Sequence, residues 1–340
     1  MSRVVGSRVL ALCLALAAPL AVLVQPATAQ QKPPPATIRI VDIPIANFTP
    51  LLIAKEKGYF DEENLNVSWT PVQQGAIAIQ AVFGGSAEIG IGTFDHTIQM
   101  QAKGQPVVAL LQYGRYPGFV LAMMAGKADR YKSAADLKGM KIGVTSPGSS
   151  THFMAAYMMV RNGLKPDDAS FVGTGTTSTA VAAARRAEID AIVSSDPMMT
   201  LMETEKLVKV VADTRTAEGT KAVYGGPYPG GVIYAAPAYI EKNPQAVQKV
   251  VDAFVRGLKW IAGHSAEDIA KLMPEEYALG NLPIYVKALE VSKPMYSPDG
   301  HFEPGAVETA YAVLKVFDPA VAGAKVDLSR TTNDSFVKKA

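Results

Sequence analysis

Cysteine is almost absent from this sequence, which has a single cysteine, Cys13, among 340 residues. The rest of the chain therefore has no disulfide, no thiolate metal site and no cysteine nucleophile. The four histidines show no metal-ligand spacing of the His-Glu-x-x-His type, and no Gly-x-Ser-x-Gly motif occurs. We therefore expect no catalytic residue, no bound metal and no cofactor.

The sequence also lacks an excess of charge of either sign. Two of its 33 lysine and arginine residues, Arg3 and Arg8, lie in the first 29 positions, where none of its 31 aspartate and glutamate residues lies. The remainder therefore carries 31 charges of each sign. Such a balance gives no reason to expect binding to nucleic acid or to an anionic membrane surface.

The N-terminus combines the three parts of a secretory signal peptide. Arg3 and Arg8 form a basic region, an apolar run covers residues 9–24, and Ala27-Thr28-Ala29 is a small-x-small cleavage site. The run is shorter than the roughly 20 residues that span a bilayer. We expect a signal peptide over residues 1–29, a proline-rich leader over 30–36, and a soluble exported protein.

From residue 37 onward, short apolar strands alternate with helical stretches that end at glycine. The first unit begins with a strand over residues 37–41 and a helix over residues 50–57, and the pattern restarts after residue 115 with a strand over residues 119–124. Strand–helix alternation with short links is typical of an open parallel sheet. The sequence therefore predicts an α/β fold built from two similar units.

The chain becomes mainly helical after Ala238. We expect this tail to cover the first unit, so that the chain crosses between the units twice, over residues 113–118 and 225–231; both segments are rich in glycine, proline and tyrosine. The predicted domains are lobe 1 and lobe 2, with the boundaries 37–115 plus 228–340 and 116–227. Two sequential domains without a return crossing are the alternative.

Four short motifs follow one another along the chain. They are Lys-Gly-Tyr-Phe at residues 57–60 with Leu65 and Val67, Ala-Asp-Leu-Lys-Gly-Met-Lys-Ile-Gly-Val at 135–144, Ala-Glu-Ile-Asp-Ala at 187–191 with Asp196-Pro197, and Tyr-Ile-Glu-Lys-Asn-Pro at 239–244. In order and spacing they resemble the nitrate/sulfonate/taurine-type solute-binding proteins, although Ala187 stands where the family often has glycine. The resemblance covers roughly residues 36 to 265.

This resemblance implies a type II periplasmic binding protein, with two α/β lobes, two hinge crossings and a ligand in the cleft between the lobes. It implies a monomer in the periplasm that captures a small organic anion and delivers it to an inner-membrane ABC permease with its ATPase. A binder of a neutral thiamine-pyrimidine precursor is the alternative. Some relatives make that pyrimidine with a cysteine-rich motif, and the lack of cysteine after residue 13 speaks against the same chemistry here.

Ligands of open α/β sheets lie beyond the carboxyl ends of the strands. Two loops in the first unit follow such ends, and their candidate contacts are Asn47, Phe48, Thr93 and Phe94. Asn47 is equally a helix cap and Phe48 a core residue. In the second of these loops, Asp95 suits a helix cap and His96 suits a helix surface better than a ligand contact.

The most informative loop joins a strand at residues 141–144 to a helix that begins near residue 149. Its hydroxyl groups and the free N–H groups of the helix start suit an anion, and Gly148 allows a close backbone approach. No Gly-Lys-Ser/Thr of a phosphate-binding loop is present. The candidate contacts are Ser146, Gly148, Ser149, Ser150 and Thr151, all of which also suit a helix cap.

Three further candidates come from other segments. Thr176 lies in a loop of the second unit and could donate a hydrogen bond to the ligand. Asp196 could bind an amine or cap a helix. Arg115, beside the first crossing, could pair with a carboxylate or sulfonate in a bidentate manner, or be a solvated hinge residue.

Overall fold

The computed structural model describes residues 34–42, 49–72, 75–176, 178–275, 278 and 280–340. The predicted signal peptide, most of the predicted leader, Asn47 and Phe48 lie outside the described residues. Residues 35–340 form one compact unit. Within the described residues, no helix has both the length and the apolar character needed to cross a membrane.

The described residues contain ten strands and fourteen α-helices. The strands are β1 (Ala36–Asp42), β2 (Leu65–Pro71), β3 (Ile89–Thr93), β4 (Val108–Gln112), β5 (Val120–Met124), β6 (Lys141–Val144), β7 (Ser170–Gly173), β8 (Ala191–Ser194), β9 (Val208–Asp213) and β10 (Gly231–Ala235). The helices are α1 (Thr49–Glu56), α2 (Tyr59–Glu62), α3 (Gly75–Phe83), α4 (Asp95–Ala102), α5 (Ser150–Arg161), α6 (Ser178–Arg185), α7 (Met198–Thr204), α8 (Ala217–Tyr224), α9 (Pro237–Lys242), α10 (Pro244–Ala262), α11 (Ala266–Ala270), α12 (Leu282–Ser292), α13 (Ala306–Phe317) and α14 (Pro319–Gly323).

The strands form two five-stranded sheets of the same design. The first has the order β2-β1-β3-β10-β4 and the second the order β7-β6-β8-β5-β9. In the first sheet, β1 is parallel to β2 and β3, whereas β10 is antiparallel to β3 and β4. In the second, β6 is parallel to β7 and β8, whereas β5 is antiparallel to β8 and β9. The α/β class with two lobes is confirmed.

The sequence predicted an open parallel sheet, and the structure differs in that each sheet contains one antiparallel strand. Strands β5 and β10 are the first strands that the chain enters after each crossing. A chain that arrives from the other sheet enters at the end where the parallel strands finish. It must then run against them, which makes the inserted strand antiparallel.

The two crossings between the sheets run side by side. The N–H of Gly114 donates to the carbonyl oxygen of Gly231 at 3.0 Å, and the N–H of Gly230 donates to that of Gly114 at 3.0 Å. A Cβ added at Gly230 would lie 2.0 Å from the carbonyl oxygen of Tyr116. Glycine is therefore required here by the close approach of the two backbones.

The helical tail contacts both lobes, not the first alone as expected. Helix α10 packs on α1 in the first lobe, with apolar residues at the spacing of one helix face. Helix α12 contacts α7, and α13 contacts α5, both in the second lobe. One apolar cluster accordingly includes Ile98 of α4, Met154 of α5 and Leu314 of α13. The tail thus packs against both lobes.

Candidate functional site

A small cavity lies between the two lobes, where β3 and β6 end and where α3, α4 and α5 begin. Its volume is about 40 Å³. Its described lining residues are Gly75, Thr93, His96, Phe119, Thr145, Ser149, Ser150, Thr151, Thr176 and Ser195. None of these carries a Lys, Arg, Asp or Glu side chain. The wall is therefore rich in hydroxyl groups and helix starts, at the carboxyl ends of parallel strands where ligands of such sheets bind.

The loop before α5 is shaped by its own hydroxyl groups. The Ser149 hydroxyl caps α5 by accepting the N–H of His152 at 3.5 Å, and it shares a hydrogen bond of 2.7 Å with the Thr151 hydroxyl. The N–H of Thr145 donates to the Thr151 oxygen at 2.9 Å. These bonds fix the first turn of α5 at the cavity wall, and Ser149 has the helix-cap role that the sequence also allowed.

Hydrogen bonds from Ser150 join the two lobes across the cavity. The Ser150 hydroxyl of the second lobe lies 2.5 Å from the Thr93 hydroxyl of the first lobe and donates to Asp95 Oδ1 at 2.8 Å. His96 Nε2 lies 3.5 Å from the same hydroxyl oxygen. The Tyr228 hydroxyl donates to Asp95 Oδ2 at 3.5 Å. Burial, with the Asp95 carboxylate adding to it, raises the pKa of Tyr228 well above its ordinary value, so this donor keeps its hydrogen.

Thr176 presents a polar atom that has no hydrogen-bond partner among the described residues. Its side chain is 8% exposed, and its hydroxyl oxygen is buried without a hydrogen bond to any part of the chain that the structure describes. A buried hydroxyl without a partner is costly, by about 1–3 kcal/mol. Because Thr176 lines the cavity, the group that would satisfy this hydroxyl is one that enters the cavity.

The cavity brings together Thr93, Ser149, Ser150, Thr151 and Thr176 from the predicted set. Five other predicted residues lie elsewhere, namely Phe94, Arg115, Ser146, Gly148 and Asp196. The Phe94 ring is buried against Phe302 with ring centroids 6.0 Å apart. Arg115 Nε donates to Glu303 Oε1 at 2.8 Å.

Ser146, Gly148 and Asp196 shape the loops behind the cavity wall. The Ser146 carbonyl oxygen accepts the N–H of Ser149 at 3.0 Å, and the Ser146 N–H donates to the Ser149 hydroxyl at 3.4 Å. The N–H of Gly148 donates to His152 Nδ1 at 3.0 Å. Asp196 caps α7, because its Oδ1 accepts both the N–H and the hydroxyl of Thr200. It also pairs with Arg215, yet burial raises the pKa of this carboxyl.

Five lining residues are absent from the predicted set, namely Gly75, His96, Phe119, Thr145 and Ser195. Thr145 and Ser195 follow strands directly, and that position could have marked them. His96 is 4% exposed and packs edge-on against Phe153 of the second lobe. Its burial depends on the other lobe, which a local pattern does not report.

A larger groove of about 680 Å³ lies on the second lobe between α5, β9 and α8. Exposed residues such as Arg161, Asn162 and Thr216 form its walls, so it is an open surface depression. Enclosed concave sites hold small ligands better than such depressions. In the described ranges, no cluster of three His, Cys, Asp or Glu side chains could hold a metal ion.

Protonation of His152 at acid pH should destabilise the loop before α5. Burial lowers the pKa of His152, whose Nδ1 accepts the Gly148 N–H and must be unprotonated to do so. The unfolded chain therefore takes up this proton at a higher pH than the folded one, and stability falls as the pH drops through the ordinary histidine pKa of about 6.5.

We expect the melting temperature of wild type to fall more between pH 7.5 and pH 5 than that of His152→Asn, whose amide oxygen can accept the same N–H without titrating. The exposed His301→Asn is the matched control and should follow wild type. Equal pH dependence in wild type and His152→Asn would contradict this role of His152.

Comparison with known proteins identifies the family of this chain. The family described as NMT1/THI5 like matches residues 45–268. A solved structure from Bordetella bronchiseptica RB50 is 39% identical, with a TM-score of 0.86 over 91% of this chain and 98% of that one. The alkanesulfonate-binding protein SsuA from Xanthomonas axonopodis pv. citri, bound to MOPS, is 19% identical, with a TM-score of 0.68 over 88% of this chain and 99% of that one. At that identity the likeness shows the fold alone, which is the periplasmic binding protein fold.

Sequence comparison also finds relatives of at least two kinds. One is the 4-amino-5-hydroxymethyl-2-methylpyrimidine phosphate synthase of Aspergillus parasiticus, 25% identical over 262 residues, which are 74% of this chain and 73% of that protein. Others are bacterial proteins provisionally described as binding proteins. The family expected from the four sequence motifs is thereby confirmed: the chain belongs to the NMT1/THI5-like family.

Proposed function

We propose that this protein is the periplasmic solute-binding component of an ABC importer. A small organic anion binds in the cavity between the lobes, and the closed complex delivers it to the permease. The observation that carries the proposal is the buried Thr176 hydroxyl, which lacks a partner in the described residues and lines a cavity built by both lobes. In this proposal the protein is a monomer, reaches the periplasm through the signal peptide, and needs neither metal nor cofactor.

An anion suits this cavity without a lysine or arginine in its described wall. The first residues of α3 and α5 line the cavity. N–H groups in the first turn of a helix have no acceptor within the helix, and the helix dipole favours negative charge there. The hydroxyls of Ser149 and Thr151 share one hydrogen bond and have one hydrogen left to donate, and the Thr176 hydroxyl adds another. The bound MOPS in SsuA, a protein with the same fold, supports a sulfonate among the candidates; nitrate-like and organic acids fit the same donors.

A neutral pyrimidine is the second candidate ligand. The synthases among the relatives are named for a hydroxymethylpyrimidine, and the Asp95 carboxylate lies just behind the wall, where it disfavours an anion close by. We propose binding without turnover in either case. The chain has no cysteine after residue 13, and the described residues hold no cluster for a metal ion.

Substitution of Thr176 by valine should separate ligand binding from stability. Valine keeps the shape and removes a buried hydroxyl that has no protein partner in the described residues, so the free protein should keep or raise its melting temperature. A hydrogen bond to a charged group contributes about 1.5–3 kcal/mol, so affinity for the best anion should fall about tenfold or more. Calorimetric titration with sulfonates, nitrate, carboxylates and pyrimidines identifies that ligand.

The matched control is Thr220→Val. Thr220 is also buried, but its hydroxyl donates to the carbonyl oxygen of Thr214 at 3.2 Å, away from the cavity. This variant should lose stability and keep its affinity. Turnover of a panel compound, or no binding of any of them, would overturn the proposed function; unchanged affinity in Thr176→Val would remove this hydroxyl from the site.

A further inference from the structure

The hydrogen bonds that join the lobes have a direction that Asp95 fixes. A carboxylate only accepts hydrogen bonds, and a serine or threonine hydroxyl has one hydrogen to give. The Ser150 hydroxyl gives its hydrogen to Asp95 Oδ1 at 2.8 Å. The contact of 2.5 Å between the Ser150 and Thr93 hydroxyls therefore has to use the hydrogen of Thr93.

Thr93 consequently faces the cavity as an acceptor. Its single hydrogen points to Ser150, and only lone pairs remain on its oxygen for a group in the cavity. His96 Nε2 lies 3.5 Å from the Ser150 oxygen and, when this nitrogen carries the ring hydrogen, donates to it. This contact too then leaves the Ser150 hydrogen directed at Asp95. Asp95 has no ion-pair partner among the described residues, and Ser150 and Tyr228 supply its two hydrogen bonds. None of these hydrogen bonds requires the Thr93 hydroxyl to direct its hydrogen away from Ser150.

The second-lobe side of the cavity offers hydrogen-bond donors. The hydroxyls of Ser149 and Thr151 share one hydrogen bond at 2.7 Å, so of their two hydrogens one is left to donate. The first turn of α5 adds N–H groups that have no acceptor within the helix. Donors thus line the second-lobe side of the cavity, and on the first-lobe side Thr93 adds an acceptor beside the start of α3.

We propose that the ligand carries an O–H or N–H donor in addition to its acid group, as a hydroxy acid or an amino acid does. The acid group lies at the start of α5, and the donor binds to the Thr93 oxygen. Thr93 then determines specificity, and Asp95 and Ser150 are positioning residues that act through it. The inference rests on the proposed function, because it requires an acid in this cavity.

The test compares two acids that differ by one hydroxyl group. The probes are ethanesulfonate with 2-hydroxyethanesulfonate and propanoate with 2-hydroxypropanoate, titrated calorimetrically into the mature protein. In the pair that binds more tightly, we expect the hydroxylated member to bind about tenfold better. Thr93→Val should abolish this ratio, and Thr93→Ser should keep it. Ser150→Ala should reduce it to about threefold or less, because Thr93 is then free to turn its hydrogen towards the cavity.

The ratio separates specificity from general damage. A variant that merely loosens the cleft weakens both members of a pair equally and leaves their ratio unchanged. Equal binding of both members to wild type, or a ratio that survives Thr93→Val, would overturn the inference and leave the proposed function standing. If wild type binds none of the four acids nor any other anion, the proposed function fails and the inference fails with it.

Discussion

Replacing Arg215 by alanine should lower the free energy of unfolding by about 3–5 kcal/mol, the usual cost of removing one partner from a buried ion pair. The Arg215 side chain is 6% exposed and lies 3.3 Å from Asp196 Oδ2, 3.1 Å from Glu203 Oε1 and 2.7 Å from Asp213 Oδ2. Asp196 is the partner that decides the cost, because its side chain is 2% exposed and cannot regain water. Urea denaturation followed by circular dichroism measures the change.

The loss should depend on pH in a definite sense. Burial already raises the pKa of Asp196 with Arg215 present, and loss of the guanidinium removes a group that lowers it. A group whose pKa is higher in the folded than in the unfolded state stabilises at low pH, and this contribution is lost as the pH rises through the folded pKa. The deficit of Arg215→Ala should therefore be smaller at pH 5 than at pH 8.

The control for this prediction is Arg185→Ala. Arg185 pairs with Glu205 at 2.7 Å, but its side chain is 56% exposed, and exposed pairs contribute less than about 1 kcal/mol. Similar losses in Arg185→Ala and Arg215→Ala would contradict the role given to burial. Ser195 lines the cavity next to Asp196, so we also expect weaker ligand binding in the Arg215 variant alone.

Local patterns in the sequence were sufficient to predict many of the elements. The predicted helix over residues 50–57 differs by one residue at each end from α1, because Pro50 in the first turn and Gly58 after the last turn mark its ends. Strand direction was not predictable in this way. The continuous run of buried, mostly apolar residues in β5 and β10 is compatible with either strand direction, so only the crossings determine that both are antiparallel.

The site was predictable where its signal is local. Ser149, Ser150 and Thr151 stand between a strand and a helix, and the structure places all three on the cavity wall. Arg115 pairs with Glu303, 188 residues away in sequence, and Asp196 pairs with Arg215, 19 residues away. A local sequence pattern does not predict such pairs. Their side chains bind protein groups in the structure and lie off the described wall of the cavity.

Substitution in the hinge should also have a large effect: Gly230→Ala is expected to lower both stability and ligand affinity. The new Cβ would lie 2.0 Å from the carbonyl oxygen of Tyr116 and 3.0 Å from that of Gly114, so the two crossings must move apart. Both obstacles are backbone atoms, which cannot turn aside as a side chain can. We expect a loss of about 3 kcal/mol, at the upper end of the range for overpacking, measured by urea denaturation. Binding of the best anion should weaken as well, because the Gly230 carbonyl oxygen accepts the N–H of Phe94 next to Thr93.

Gly126→Ala provides the matched control for the hinge variant, since a Cβ at Gly126 meets no atom within 4 Å. It should leave stability within about 0.5 kcal/mol of wild type, as is usual for surface substitutions, and affinity unchanged. Wild-type affinity in Gly230→Ala would show that the spacing of the crossings does not set the geometry of the cavity. A loss of affinity larger than the loss of stability explains would instead tie ligand capture to the alignment of the two crossings, because Thr93 of the first lobe and Ser150 of the second remain 2.5 Å apart only while the crossings hold the lobes in this position.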